Sequence, residues 1–284
     1  MAQLVLNRQN NMGDTMCQMR GLKEYKDRNP GTELDFASCH YLHYLMATHT
    51  DLFRKVIFTT QEEINGLANS WQSAGYEKMI EFTVDWAGAC DHGILKAWTE
   101  KTLGFTPSTD KPYFLLSDEE KITARSNLGI VMTVPQPNKQ VFRKSMVLNL
   151  ESVSDGSRGF LIEDWNRVID MIPKDVAIFY FAPMTWIWGN PLTPRPNLIV
   201  LPGYPIGESG AVMQLVDVNL MVHSGLLMLA YACNAKCILQ VSFNAGGSPN
   251  LLQIPEGQGE NMAIASNREV DWGALQNLIN KYLL

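Results

Sequence analysis

Three short stretches carry residue types whose spacing suits chemistry. The most informative is His223-Ser224-Gly225, a polar break between the apolar run Val216–Val222 and the small-residue run Leu226–Ala232. The first run is too short for a helix and predicts a buried strand; the second predicts a helix. A strand that turns through Ser-Gly directly into a helix aims unpaired backbone N–H groups beyond the sheet, and that suits an anion such as a phosphate. By itself the turn is an ordinary strand-to-helix connection, common in any α/β protein. The second stretch is Asn11-Met12-Gly13-Asp14, after the apolar Leu4-Val5-Leu6, where Asp14 or Thr15 caps the helix that follows. The third is Leu201-Pro202-Gly203-Tyr204 with Glu208 behind it, a strand end leading into a helix whose N-terminus favours an acid.

Two further patterns are weaker. Cys39, His40 and His43 form a small group of metal-ligating types, but no second group has standard zinc spacing, so no metal site is assigned. Ala245-Gly246-Gly247 lacks the Gly-Lys-Ser/Thr that a nucleotide phosphate loop requires.

The elements that must position these residues follow a regular rhythm. Strand-like segments at 4–6, 33–37, 55–59 and 79–84 alternate with helical ones at 15–25, 40–46, 93–103 and 118–127, the signature of a parallel sheet with crossover helices. The stretch 61–77 stays unassigned. Pro135-Gln136-Pro137-Asn138-Lys139 is the best linker, and it divides the chain into domains 1–136 and 137–284. The second half repeats the rhythm, with strands at 147–150, 176–181, 197–201, 216–222 and 237–241 and helices at 162–172, 208–215, 226–232 and 272–283. Ligands in such sheets bind beyond the carboxyl ends of the strands, which selects the loops 202–208, 223–225 and 242–249.

Composition bounds the function. The 284 residues, 46% hydrophobic and 18% charged, describe a globular chain with sizeable cores. A net charge of −6 argues against a general polyanion binder, although a local basic groove would survive that average. No apolar run reaches the roughly 18 residues of a membrane span, and no signal peptide is indicated. The five scattered cysteines fit a reducing compartment, so a cytoplasmic protein is expected.

The order of motifs resembles the heptosyltransferase-like family of GT-B glycosyltransferases, family nine of the sequence classification. Gly13-Asp14 looks like its early Gly-Asp. Arg158 and the run Ile162-Glu163-Asp164-Trp165 look like its Trp-containing helix start. Leu201-Pro202-Gly203 with Glu208, then His223-Ser224-Gly225-Leu226, resemble its Leu-Pro segment and Asp-Thr-Gly-Leu turn. His223 stands where that family has an acid. The segment 242–249 sits where it has a donor loop.

The resemblance implies an α/β GT-B fold, two Rossmann-like domains facing a central cleft. It implies an inverting, metal-independent transfer of a sugar from a nucleotide-diphosphate sugar to an acceptor hydroxyl, with no other cofactor. The acceptor is a glycan or, as in compact bacteriophage enzymes, a hydroxymethylated pyrimidine in DNA; the rival is a non-catalytic nucleotide-sugar-binding protein. Asp14 is then the base, with Gly13 and Asn11 on the acceptor side. Arg158, Gly203, Tyr204, Glu208, His223, Ser224, Gly225 and Asn244 hold the donor.

Overall fold

The structure, a computed structural model, describes residues 2–8, 12–48, 51–84, 93–133, 141–150, 160–182, 192–243, 259–264 and 270–284. Two compact units emerge, one built on Met1–Leu116 and the other on Ser117–Gly246 and Glu256–Leu284. The linker candidate at 135–139 lies outside the described residues.

The first unit is a four-stranded parallel sheet in the order β3-β2-β1-β4, with β1 Gln3–Asn7, β2 Leu34–Ser38, β3 Lys55–Phe58 and β4 Lys78–Phe82. Leu4, Val5 and Leu6 are all buried, as a central parallel strand covered on both faces requires. Its helices are α1 Met12–Arg28, α2 Tyr41–Thr48, α3 Gln61–Ser70 and α4 Ile94–Leu103. Leu4 and Leu6 share a core with Ala37 and with Ile64 of α3. Helix α1 packs on α4 at Gly21, where an added Cβ would stand 2.6 Å from Thr99 Oγ1 and 2.9 Å from the Trp98 ring. Helix α3 fills the stretch left unassigned from sequence. Thr60 and Glu63 make a reciprocal capping box at its start: the Thr60 hydroxyl accepts from the Glu63 N–H and the Glu63 carboxylate accepts from the Thr60 N–H.

The second unit is a six-stranded parallel sheet in the order β10-β9-β8-β5-β6-β7. Its strands are β5 Lys144–Asn149, β6 Val176–Tyr180, β7 Leu198–Val200, β8 Val218–Val222, β9 Ile238–Phe243 and β10 Gly259–Ile264. The helices are α5 Asp118–Thr133, α6 Ile162–Met171, α7 Ile206–Leu215, α8 Gly225–Ala232 and α9 Trp272–Leu283. Met146, Leu148, Ile178 and Leu220 pack against Trp165, Val168 and Ile169 of α6 and Leu275 and Ile279 of α9. Strand β10 has no counterpart in the sequence reading. Arg143 and Lys144 donate to the carbonyls of Tyr282, Leu283 and Leu284, satisfying the last turn of α9. No helix among the described residues is long and apolar enough to cross a membrane.

Both sheets reverse direction at an inner strand. Chain order runs outward from β5 through β6 and β7, then returns to β8 on the other side of β5. In the first unit it runs from β1 through β2 and β3 and returns to β4 beside β1. The carboxyl ends of β5 and β8, and of β1 and β4, are therefore topological switch points, the positions at which open parallel α/β sheets generally bind ligands.

Candidate functional sites at the two switch points

In the second unit, β8 ends at Val222, His223 follows half-buried, and Ser224 caps α8. The Ser224 hydroxyl accepts from the Leu227 N–H at 3.4 Å and donates to Oδ1 of Asn149 at 3.1 Å. Asn149 is the last residue of β5, and the partner strand brings it there through the parallel pairing Asn149↔Met221. The hydroxyl is thus committed as both donor and acceptor, and it orients the turn. The N–H groups of Gly225 and Leu226 belong to the helix start, which lacks intrahelical acceptors, and the dipole there favours an anion. Sequence reading found Ser224 and Gly225 but not Asn149; an Asn closing a buried strand was the available signal.

The loop between β7 and α7 supplies a second cluster in the same unit. Gly203 is exposed and takes a left-handed backbone, φ 61°, which a glycine adopts without strain. Tyr204 stacks its ring on Phe181, centroids 5.6 Å apart, and its hydroxyl accepts from Asn127 Nδ2 of α5 at 2.9 Å. Burial raises the Tyr204 phenol; Asn127 donation opposes that, and the Glu208 carboxylate, hydrogen-bonded to the hydroxyl, adds to it. Glu208 sits in the first turn of α7. Tyr204 therefore offers a ring face, its hydroxyl being held by Asn127 and Glu208. Behind this cluster Gly207 admits the Glu120 side chain of α5, whose carboxylate accepts from Ser117 N–H and Oγ–H at 2.8 Å each.

In the first unit, Gly13 and Asp14 lie in the first turn of α1, which begins at Met12. The expected loop or cap position for Asp14 is corrected: it is a helical residue, where a carboxylate complements the dipole. Cys17, one turn on, is buried, and its thiol is pushed up first by that burial and then by Asp14 and Asp110. Around the β1 and β4 ends, Arg8 Nε donates to Glu81 Oε1 at 2.8 Å and its Nη1 to Asn65 at 3.2 Å. Asn7 joins Thr15 and His43, and His40 joins the Arg8 carbonyl. His40 and His43 are thus both hydrogen-bonded within the protein, with ring centroids 5.3 Å apart. Among the described residues, no group of three or more His, Cys, Asp or Glu is placed to hold a metal ion.

Arg158, Asn244 and Asn11 lie outside the described residues.

No family model matches the chain, and no curated protein matches it by sequence. Solved structures match its fold. The E. coli ADP-heptose lps heptosyltransferase II superposes with a TM-score of 0.70 at 12% identity, covering 100% of this chain and 98% of that one. A glycosyl transferase family 9 protein from Veillonella parvula gives 0.67 at 12%, covering 99% and 95%. An E. coli heptosyltransferase solved with ADP gives 0.64 at 13%, covering 99% of each chain. At these identities the likeness establishes the fold, an α/β architecture of the GT-B glycosyltransferase type, and the expected fold class holds.

Proposed function

We propose that this protein is an inverting glycosyltransferase that moves a sugar from a nucleotide-diphosphate sugar to an acceptor hydroxyl. The observation that carries the reading is the Asn149–Ser224 pair, which locks a helix start at the β5/β8 switch point. A helix start at the reversal point of a parallel sheet is a common place for a phosphate-bearing ligand, and the N–H groups of Gly225 and Leu226 stand there. The fold likeness supports the same reading: structures of this shape include enzymes named for an ADP-heptose donor and one solved with ADP.

In this mechanism the diphosphate lies against Gly225 and Leu226, where the dipole takes up the charge that develops as the glycosidic bond breaks. Arg158 adds a cation and Asn244 a donor contact. Gly203 lets the backbone approach the nucleoside, the Tyr204 ring face packs on the base, and Glu208 accepts from ribose hydroxyls with whatever capacity Tyr204 leaves it. His223 lies beside the sugar, in the place of a carboxylate. Asp14 takes the acceptor proton as the oxygen attacks the anomeric carbon, with Gly13 and Asn11 on the acceptor side. No metal enters this scheme. A glycan hydroxyl is the acceptor, in the cytoplasm.

The test is a thermal-shift screen against ADP-, UDP-, GDP- and CMP-sugars. A ligand that binds only the native state raises the midpoint, by about 2.7 kcal/mol of stabilisation at a hundredfold excess over Kd. One donor class is expected to shift the midpoint, and Ser224→Ala to reduce the shift; silence with all four sinks the reading. Asp14→Asn then separates enzyme from binding module. Donor binding with transfer abolished supports catalysis, whereas wild-type transfer removes Asp14 as base.

A further inference from the structure

The end of β1 and the first turn of α1 are tied together by buried polar side chains that the scheme above does not use. Asn7, the last residue of β1, is fully buried. Its Nδ2 donates to Thr15 Oγ1 at 3.1 Å and to His43 Nδ1 at 2.8 Å. An amide nitrogen carries two hydrogens, so both bonds form at once. His43 accepts at Nδ1 and is therefore the neutral tautomer with its proton on Nε2. Thr15 and His43 are each 1% exposed. One amide thus joins three elements: the end of β1, the first turn of α1 and the first turn of α2. Just past the end of β1, His40 Nε2–H donates to the Arg8 carbonyl at 3.0 Å.

Apolar residues of similar volume would fill this site without the cost of burying three polar groups. A polar trio instead fixes geometry, because each bond has a length and direction. The residue it fixes is Thr15, the direct neighbour of Asp14 in the same helical turn.

We propose that Asn7, Thr15 and His43 are positioning residues for Asp14: the shared amide sets where the first turn of α1 stands against the sheet, and hence where the carboxylate meets the acceptor hydroxyl. This rests on the reading of Asp14 as the base. A displacement of order 1 Å in a reacting group costs roughly a hundredfold in rate, so the effect belongs in kcat.

The test compares isosteric pairs, each checked for a cooperative thermal transition. Thr15→Val removes the hydroxyl and Thr15→Ser keeps it. His43→Leu removes the acceptor, whereas the Oδ1 of His43→Asn reaches the place of Nδ1. Thr15→Val and His43→Leu are expected to lower kcat about 10- to 100-fold, with the donor KM within about twofold, the change uniform donor binding would show being excluded. Thr15→Ser and His43→Asn are expected to recover most of the rate. Amide exchange in peptides spanning 8–17 is expected to quicken in the Leu and Val variants alone. Full kcat in Thr15→Val and His43→Leu, or equal loss in the rescuing variants, overturns the proposal while leaving an inactive Asp14→Asn to uphold the base. Wild-type rate in Asp14→Asn removes base and positioning role together.

Discussion

His43 shows how one side chain links packing to pH. Burial, and then the neighbouring His40, lower its pKa from 6.5 to about 4. Between those values the unfolded chain takes up a proton that the native protein refuses, so unfolding becomes easier as pH falls. The loss runs at up to about 1.4 kcal/mol per pH unit and levels off below the native value. Urea or thermal midpoints followed from pH 7 to pH 4 are expected to fall more steeply in the wild type than in His43→Asn; parallel curves would show that His43 does not set the slope. At the second switch point, Ser224→Ala removes both the cap on α8 and the tie to Asn149, with about 1 kcal/mol lost from the cap alone. A thermal melt without ligand measures that cost, and donor affinity should weaken beyond it. Ser224, Gly225, Gly203 and Glu208 were legible in the sequence because a Ser-Gly turn and a Pro-Gly strand end have local signatures. Asn149 and Asn7 were not, since an Asn closing an apolar run becomes meaningful only when a distant helix start is folded against it. His40 and His43 were visible as a cluster but ambiguous in chemistry, and the partners that define them, Arg8 and Asn7, lie more than thirty residues away.

At the scale of elements, the pairing of α5 with α7 depends on Gly207. A Cβ there would stand 1.5 Å from Glu120 Oε1, and Glu120 is held in place by its bonds to Ser117. The side chain would have to leave a capping arrangement to make room, so Gly207→Ala is expected to destabilise the second unit by about 1–3 kcal/mol, read from its denaturation midpoint. A midpoint equal to wild type would mean that Glu120 relocates freely. The same substitution at Gly66, where a Cβ meets nothing within 4 Å, serves as the control and should stabilise α3 by up to about 1 kcal/mol. Element types were largely readable because parallel strands buried on both faces appear as short apolar runs between helical periodicities. The exceptions have distinct causes. Helix α3 carried its start signal, Thr60-x-x-Glu63, but few apolar positions: among its residues only Ile64 is buried. Strand β10, Gly259-Glu260-Asn261-Met262-Ala263-Ile264, lacks the β-branched alternation that marks a strand and gains its identity from pairing along β9. Asp14 moved from a loop or cap position into the helix because α1 starts at Met12, ahead of the Asp14-Thr15 pair that had been read as its cap.

Charge across the whole chain bears on the acceptor. A protein that reads a nucleic acid neutralises several phosphates with Lys and Arg, and its binding falls steeply with salt. This chain carries 23 Lys and Arg against 29 Asp and Glu. At the carboxyl ends of β1 and β4, the cation Arg8 is already paired with Glu81. Arg54 is bound to Asp35 and Glu33, which hold its guanidinium firmly charged, and it stands at the opposite, amino end of the sheet beside the start of β3. The proposed saccharide acceptor carries no phosphates, so its binding would not draw on such contacts. Transfer to a saccharide acceptor is therefore expected to change less than about threefold between 50 and 200 mM salt, where six to ten phosphate contacts would cost about 10³–10⁵ in affinity. Initial rates at sub-saturating acceptor, with donor held saturating, measure this directly. Turnover on hydroxymethylated DNA that collapses over the same range would reverse the proposal.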